Sequence, residues 1–259
     1  MSNAGGSDVN AFGGLRGRLR APGAIYVAQM LIPEPAIASI LGMCAFDFVF
    51  MDVEHGPFTL SSLRACVEAF ASTPAAPVVR TASDSPTEIN QLLDLGVEGV
   101  IVPKVETREQ AAAIVSAARY PPEGTRGVSR VVRSARYGFD SAYVETANSN
   151  VAVFAIVESA LGVHNVEEIV AVPGLDGVFV GADDLSADLG LFGRYEDGRV
   201  RQAVDEIVAA TRSAGLRICG GYGPPAPEEE DLTIQHCFLD AIGLASAARE
   251  SLEARKTRA

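Results

Sequence analysis

Cysteine is scarce in this chain, and the four that occur, Cys44, Cys66, Cys219 and Cys237, are widely spaced and form no CxxC pair. This spacing indicates neither a zinc knuckle nor a redox motif, and we expect reduced thiols in or near the core. No apolar run approaches the roughly 20 residues that span a bilayer, and the N-terminus lacks the charged and then apolar pattern of a signal peptide. These absences predict a cytoplasmic protein with no membrane partner.

Basic residues are outnumbered by acidic ones. Lys and Arg total 21 against 33 Asp and Glu, which gives a formal net charge of −12. Nucleic acid is not an expected partner, because phosphate contacts need clustered cations on one face. A small anionic substrate remains compatible, since a few local cations or one bound metal ion can override the global field.

A chain of 259 residues, 48% of them hydrophobic, can bury one large core. Its first residues are small and polar, so residues 1–15 are predicted to form a disordered N-terminal segment and residues 16–259 a single domain. Eight short, apolar, β-rich runs recur along that domain. They occupy residues 25–28, 46–51, 77–80, 99–102, 151–157, 177–180, 216–219 and 238–242.

Stretches of helical length separate most of these runs, with apolar residues three and four positions apart. They occupy residues 61–70, 86–95, 108–118, 163–170 and 200–214. Near-continuous apolar runs suit strands buried on both faces, as in a parallel sheet covered by helices. Eight such units predict a closed (β/α)8 TIM barrel. An open dinucleotide-binding sheet is disfavoured because no GxGxxG motif follows the first run. The later glycines Gly220, Gly221 and Gly223 are instead predicted to lie in a strand-to-helix loop.

Residues 120–150 form a long segment that does not follow the alternation of strands and helices. It contains Arg126, Arg130, Arg133 and Arg136. Long loops in a compact domain are usually functional or interfacial. The arginines either bind an anionic substrate or pair with an acidic surface of a neighbouring subunit, and we favour the second interpretation.

The ends of the predicted strands are the informative positions, because reactive groups of a barrel sit there. Glu158 follows the fifth run and Asp184 the sixth. Two carboxylates on neighbouring strands suit a hard divalent cation such as Mg²⁺ or Mn²⁺. An exposed surface pair is the alternative, but solubility alone hardly explains a carboxylate directly after an apolar run. Asp183 is predicted to cap the following turn.

Charged and titratable residues lie at the ends of the second and third runs. Asp52, Glu54 and His55 follow the second run, and Arg80 ends the third. Histidine is the residue type that can gain or lose a proton near neutral pH, and a nearby carboxylate would make His55 a general base. Arg80 offers a planar fork to a carboxylate or enolate oxygen, with a structural salt bridge as the alternative.

Lys104 ends the fourth run, and the other lysine of the chain is Lys256 near the C-terminus. A Schiff-base mechanism needs a lysine inside the barrel, so Lys104 is its sole candidate and competes with the metal hypothesis. His164 lies in a helical, polar context and His236 near a late helix end. Both are predicted to have surface or packing roles.

Six blocks of sequence, in this order, carry a family resemblance. They are residues 46–57 (FDFVFMDVEHGP), 78–80 (VVR), 91–96 (QLLDLG), 119–128 (RYPPEGTRGV), 157–158 (VE) and 177–186 (GVFVGADDLS). Over residues 24–215 the chain resembles the HpcH/HpaI aldolase family, class II pyruvate aldolases related to the citrate lyase β-subunit. The resemblance implies reversible retro-aldol cleavage of a 4-hydroxy-2-oxo acid to pyruvate and an aldehyde.

The resemblance also implies roles for individual residues. Glu158 and Asp184 would hold a divalent metal ion, Mg²⁺, Mn²⁺ or Co²⁺, that binds the oxo-acid substrate, and Arg80 would stabilise the enolate oxygen. His55, paired with Asp94 and near Asp52, would manage the proton of the hydroxyl carbon. Backbone N–H groups at a helix start would receive the substrate carboxylate, namely those of Gly181, Ala182 and Asp183.

Two departures leave the acceptor open. Family members often have Gln where Ile156 stands, and residues 219–230 are unlike the usual aldolase sequence. A transferase that condenses an enolate with an oxo acid, as in citrate formation, therefore remains an alternative, as does a non-catalytic oxo-acid binder. The resemblance further suggests a homohexamer, a trimer of dimers, with exchange of a C-terminal helix at residues 244–255.

Overall fold

The strands and helices alternate along the chain in the computed structural model, which describes residues 14–221 and 232–257. The strands are β1 (Ile25–Met30), β2 (Phe48–Asp52), β3 (Ala76–Arg80), β4 (Gly99–Val102), β5 (Ala152–Val157), β6 (Gly177–Val180), β7 (Arg217–Cys219) and β8 (Ile234–Leu239). The helices are α1 (Gly14–Arg20), α2 (Pro35–Met43), α3 (Leu60–Phe70), α4 (Pro86–Asp94), α5 (Arg108–Ala118), α6 (Tyr143–Asn150), α7 (Ala160–His164), α8 (Val166–Val170), α9 (Ala182–Asp188), α10 (Gly198–Ser213) and α11 (Asp240–Lys256). A 3-10 helix covers Arg133–Gly138.

The eight strands close into one barrel in the order β1 to β8, and β8 pairs in parallel with β1. The predicted (β/α)8 barrel is therefore confirmed. The pairing of β2 with β3 places Asp52 opposite Arg80, at the carboxyl ends of both strands. Because all strands point the same way, the residues that follow them meet at one mouth of the barrel.

Seven of the predicted strands lie within two residues of the observed ones, and the eighth was wrong. The predicted run at residues 238–242 straddles the junction where β8 ends at Leu239 and α11 begins. Gln235 and His236 lie within β8, so the strand lacks the apolar run by which the others were recognised. The predicted helix at residues 163–170 is divided into α7 and α8 at Asn165.

Aromatic rings fill the barrel interior below the mouth. Phe154 lies between Phe48 and Phe179, with ring centroids 5.8 and 5.6 Å away respectively. Phe50 meets Phe179 edge to face at 6.0 Å. The interior is thus a packed core rather than a channel, and a ligand has room at the mouth.

Helix α1 covers the opposite end of the barrel. Leu15 and Leu19 are buried in the interior cluster of side chains. Arg217, at the start of β7, donates to the carbonyl oxygen of Leu19 at 2.6 Å. The helix begins at Gly14, inside the segment predicted to be disordered, so the barrel domain starts two residues earlier than predicted. The rest of that segment, residues 1–13, lies outside the described residues.

Two arginines of the long segment at residues 120–150 are used within their own chain. Arg126 is buried and donates to Asp94 at 2.9 Å, and Arg133 donates to the carbonyl oxygen of Leu95 at 3.0 Å. The expectation that they bind substrate or a neighbouring subunit was therefore wrong for these two. Arg130 and Arg136 are exposed, and for them it stays a prediction.

The cysteines divide into two groups. Cys66 and Cys219 are buried as predicted, whereas Cys44 and Cys237 are exposed. Burial raises the pKa of the Cys66 thiol to about 11, which makes it a poor nucleophile. Within the described ranges, none of the helices has the length and apolar character needed to cross a membrane.

Candidate active site

A cavity of about 260 Å³ opens at the carboxyl ends of the strands. It collects most of the residues that the sequence singled out. Those lining it are His55, Arg80, Glu158, Gly181, Ala182, Asp183 and Asp184.

Asp52 and Arg80 form the best-defined contact of the site. The Asp52 side chain is fully buried, and both of its oxygens accept hydrogen bonds from Arg80, from Nε at 2.8 Å and from Nη2. The Gln29 amide and the His55 backbone N–H also donate to it, at 2.8 and 3.2 Å. Burial alone would raise the pKa of Asp52, but Arg80 and these donors outweigh it and hold the pKa below its usual value.

Glu54 belongs to the site, although no role was predicted for it from the sequence. Its Oε2 lies 3.5 Å from Arg80 Nε and 3.7 Å from His55 Nε2. Burial raises the pKa of this carboxyl group, and the charges of Asp52 and Asp184 add to the rise while Arg80 and His55 oppose it. The position of Glu54 two residues beyond Asp52 at the end of a buried strand was the available signal.

Glu158 is the most strongly perturbed acid of the site. It is 7% exposed, and its Oε1 accepts a 2.7 Å hydrogen bond from the backbone N–H of Lys104. Burial and then the nearby charges of Glu54 and Asp184 raise the pKa of Glu158 to about 7, although the Lys104 N–H and Arg80 oppose the rise. A carboxyl group held in this way is poised for a cation or a proton.

Lys104 contributes its backbone and not its amine to this arrangement. Its φ of +52° is an uncommon conformation for a residue with a side chain, and it directs the N–H group toward Glu158. The side chain is exposed and is not among those lining the cavity. The geometry gives no support to a Schiff base on Lys104.

The start of α9 forms the rim next to Glu158. Asp184 lies exposed in the first turn, and Asp183 accepts a hydrogen bond from the Tyr195 hydroxyl. The N–H of Gly181 donates to the Val157 carbonyl oxygen at 3.1 Å. This N–H is therefore already used in a hydrogen bond within the barrel, and the implied role of Gly181 as a donor to substrate is corrected. The N–H groups of Ala182 and Asp183 remain candidates for that role.

Gly181 has a steric role instead. A Cβ atom at this position would lie 2.5 Å from both Cβ and Oε2 of Glu158. We expect Gly181→Ala to displace the Glu158 side chain and to weaken divalent-metal binding at least tenfold, as measured by calorimetric titration with Mn²⁺. Gly198→Ala is the matched control, since no heavy atom lies within 4 Å of its added methyl group. Equal affinity in both variants would contradict the steric role.

His55 and Asp94 do not form the predicted pair among the contacts of the described residues. Asp94 is bound to Arg126 at 2.9 Å, whereas the His55 ring is exposed at the rim and lies near Glu54. Asp94 is half-buried at the end of α4 and does not line the cavity. The implied Asp94–His55 pairing is thus corrected within one chain, and Glu54 is the carboxylate beside the imidazole.

The two other histidines differ in position. His164 is exposed at the end of α7, as expected of a surface residue. His236 is in β8 and lines the cavity, so its predicted location near a helix end was wrong. Its ring lies 5.2 Å from the Phe50 ring.

A closed parallel barrel that gathers acids, an arginine and a histidine at one mouth defines a TIM-barrel enzyme. The chain belongs to the HpcH/HpaI aldolase/citrate lyase family, whose model matches residues 30–244. The family predicted from the six sequence blocks is therefore confirmed.

Individual relatives agree with this assignment. The chain is 38% identical over 193 residues to 5-keto-4-deoxy-D-glucarate aldolase from Salmonella paratyphi A, covering 74% of this chain and 75% of that one. A family member from Burkholderia cenocepacia has a similar structure, with 33% identity, a TM-score of 0.89 and coverage of 95% and 99%. The citrate synthase SbnG is also similar, with 28% identity, a TM-score of 0.82 and coverage of 95% and 98%. The protein is a carbon–carbon lyase of the aldolase type, as predicted.

Proposed function

We propose that the protein is a divalent-metal-dependent aldolase that reversibly cleaves a 4-hydroxy-2-oxo acid to pyruvate and an aldehyde. The observation that carries the proposal is the buried carboxyl group of Glu158, which shares the cavity with Asp184 and Arg80. A buried carboxyl group whose pKa is raised by burial and by neighbouring acids attracts a cation, and an arginine across the cavity suits a developing oxyanion.

The residues present fit a hard divalent ion. No group of three or more His, Cys, Asp or Glu side chains is arranged as a complete metal site within the described ranges, but Glu158 and Asp184 supply hard oxygen ligands and leave positions for substrate. Burial and then repulsion from Glu54 and Asp184 raise the pKa of Glu158, and a cation would relieve the repulsion. When bound, the ion would supply Lewis-acid stabilisation of negative charge on the oxo acid.

Arg80 and His55 would then serve the two halves of the reaction. His55 is the base at the rim that accepts the proton of the 4-hydroxyl group. The bond between C3 and C4 breaks, the aldehyde carbonyl forms, and the electron pair remains on the enolate of pyruvate, which takes up a proton at C3. Arg80, oriented by Asp52, faces the enolate oxygen, and the N–H groups of Ala182 and Asp183 receive the carboxylate.

Exchange of the pyruvate methyl protons in D₂O, followed by NMR, tests this proposal directly. We expect exchange with Mg²⁺, Mn²⁺ or Co²⁺, no exchange after thorough chelation, and cleavage products from an aldehyde screen. The variant Lys104→Asn keeps the backbone N–H and a side chain that tolerates positive φ, so it should retain exchange. Metal-independent turnover with borohydride trapping of pyruvate on Lys104 would overturn the metal mechanism.

Condensation of an enolate with an oxo acid is the second candidate, and the similarity to the citrate synthase SbnG supports it. The same enolate would then attack a ketone instead of an aldehyde. Product analysis with oxaloacetate and an acyl-CoA, beside the aldehyde screen, separates the two reactions.

We also propose a cytoplasmic homo-oligomer, a hexamer built as a trimer of dimers, in which helix α11 is exchanged. After Asp240 the helix is exposed along its length, including Ile242, Leu244 and Leu252 at 48%, 61% and 54%. Apolar side chains exposed on one long helix favour a covering partner. Light scattering that gives the mass of a monomer would contradict this.

A further inference from the structure

His236 lies among apolar side chains at the floor of the cavity. The even-numbered strands of such a barrel contribute layers of inward side chains, and four of the cavity side chains come from these strands, namely Phe50 on β2, Ile101 on β4, Phe179 on β6 and His236 on β8. The imidazole is therefore the polar member of a floor whose other three side chains are hydrocarbon.

The environment of His236 disfavours a positive charge. Burial, and then the charge of Arg80, lower the pKa of the ring to about 4, although a hydrogen bond with the Phe238 backbone opposes this. At neutral pH the ring is thus an uncharged imidazole, which has one donor and one acceptor nitrogen. Because the donor nitrogen serves the Phe238 backbone, the acceptor nitrogen suits the O–H of a hydroxyl group and not a carbonyl or carboxylate oxygen.

The layout of the cavity determines which part of the substrate meets this ring. Arg80 on β3, and Glu158 and Asp184 after β5 and β6, bind the oxo acid in the proposed function, so its charged end is held on that side. Strand β8 lies on the other side of the closed barrel, next to β1. The end of the substrate that leaves as the aldehyde would extend toward β8 and β1.

The other cavity side chains on those two strands do not offer a comparable contact. Leu239 of β8 is apolar, and the Gln29 amide of β1 donates to Asp52. We infer that His236 is a specificity-determining residue for the aldehyde, and that its imidazole accepts a hydrogen bond from a hydroxyl group next to the reacting carbon. The enzyme therefore selects hydroxy-aldehydes over alkyl aldehydes of the same size. This inference rests on the proposed aldolase function.

Two aldehydes of equal heavy-atom number, glycolaldehyde and propanal, separate polarity from size. The measurement is the ratio of kcat/KM for the two in aldol addition to pyruvate, because the ratio cancels losses common to both, such as a lower fraction of folded or metal-loaded enzyme. We expect the wild-type ratio to favour glycolaldehyde by about tenfold or more, since a site built around a polar group rejects an analogue that cannot pair with it.

Three variants test the role of the ring. His236→Leu should lower the ratio about tenfold or more, and His236→Asn, which keeps hydrogen-bonding groups, should retain a preference for glycolaldehyde. Phe179→Leu changes the shape of the same floor without its polarity and should leave the ratio within about threefold. Equal ratios in wild type and His236→Leu, or an equal fall in Phe179→Leu, would overturn the inference while the aldolase function stands. Absence of pyruvate exchange and of turnover with every metal and aldehyde would instead overturn both.

Discussion

Glu158→Gln is expected to lose at least a thousandfold in kcat/KM for retro-aldol cleavage and to bind Mn²⁺ too weakly for calorimetric detection. Gln preserves the size of the side chain and an oxygen for the Lys104 N–H, so the loss would come from the missing charge. Steady-state kinetics and calorimetric titration measure the two effects. Glu167→Gln, an exposed residue of α8, is the control and should behave as wild type. Cleavage within tenfold of wild type would contradict the role of Glu158 as a metal ligand.

The same variant should be more stable than wild type when metal is absent. The folded-state pKa of Glu158, about 7, exceeds its ordinary value of 4.5, so the folded protein binds this proton more tightly than the unfolded chain does. The stabilising contribution is complete below pH 4.5 and is lost as the pH rises through 7. At pH 8 the substitution should therefore raise the free energy of unfolding by up to ~3 kcal/mol. Urea unfolding in a chelating buffer at pH 5 and pH 8 measures the difference in free energy of unfolding between the variant and wild type. A depressed pKa of Glu158 would instead make the variant less stable than wild type at pH 8.

Arg80→Lys is expected to lose about a hundredfold to a thousandfold in kcat/KM and to lower the free energy of unfolding by ~2–4 kcal/mol. Lysine keeps the charge but cannot make the two parallel contacts with the buried Asp52 carboxylate. Kinetics and urea unfolding measure both effects.

Arg199→Lys provides the comparison for Arg80. Arg199 pairs with Asp197 at 3.2 Å but is exposed, so its replacement should cost little, as for most surface ion pairs. If Arg80→Lys were as active and as stable as Arg199→Lys, neither the oxyanion role nor the structural pairing of Arg80 would stand.

The positions of Asp52, Arg80 and Glu158 could be predicted because local sequence determines them. Each comes at the end of a buried apolar strand, and in a closed parallel barrel all such ends face one cavity. No knowledge of distant contacts is needed to place them there. This is why the fold and the acidic mouth followed from the pattern of apolar runs.

The remaining features depend on contacts that local sequence does not encode. Asp94 lies in a block that resembles the family, yet its partner is Arg126, 32 positions away. The contact that positions Glu158 comes from a main-chain N–H, and any non-proline residue at position 104 could supply it. The position of His236 at the cavity was not predicted, because β8 lacks the apolar run that identifies the other strands in the sequence.

The helix α1 that covers the far end of the barrel has a practical consequence for engineering. Leu15, Leu19 and Arg217 anchor it at the end remote from the cavity, so this anchor and the candidate active site lie at opposite ends of the same barrel. Substitutions that tighten this seal can be combined freely with substitutions at the mouth, because effects at distant, independent sites usually add. A library for new acceptors would therefore begin best from a variant already reinforced at α1.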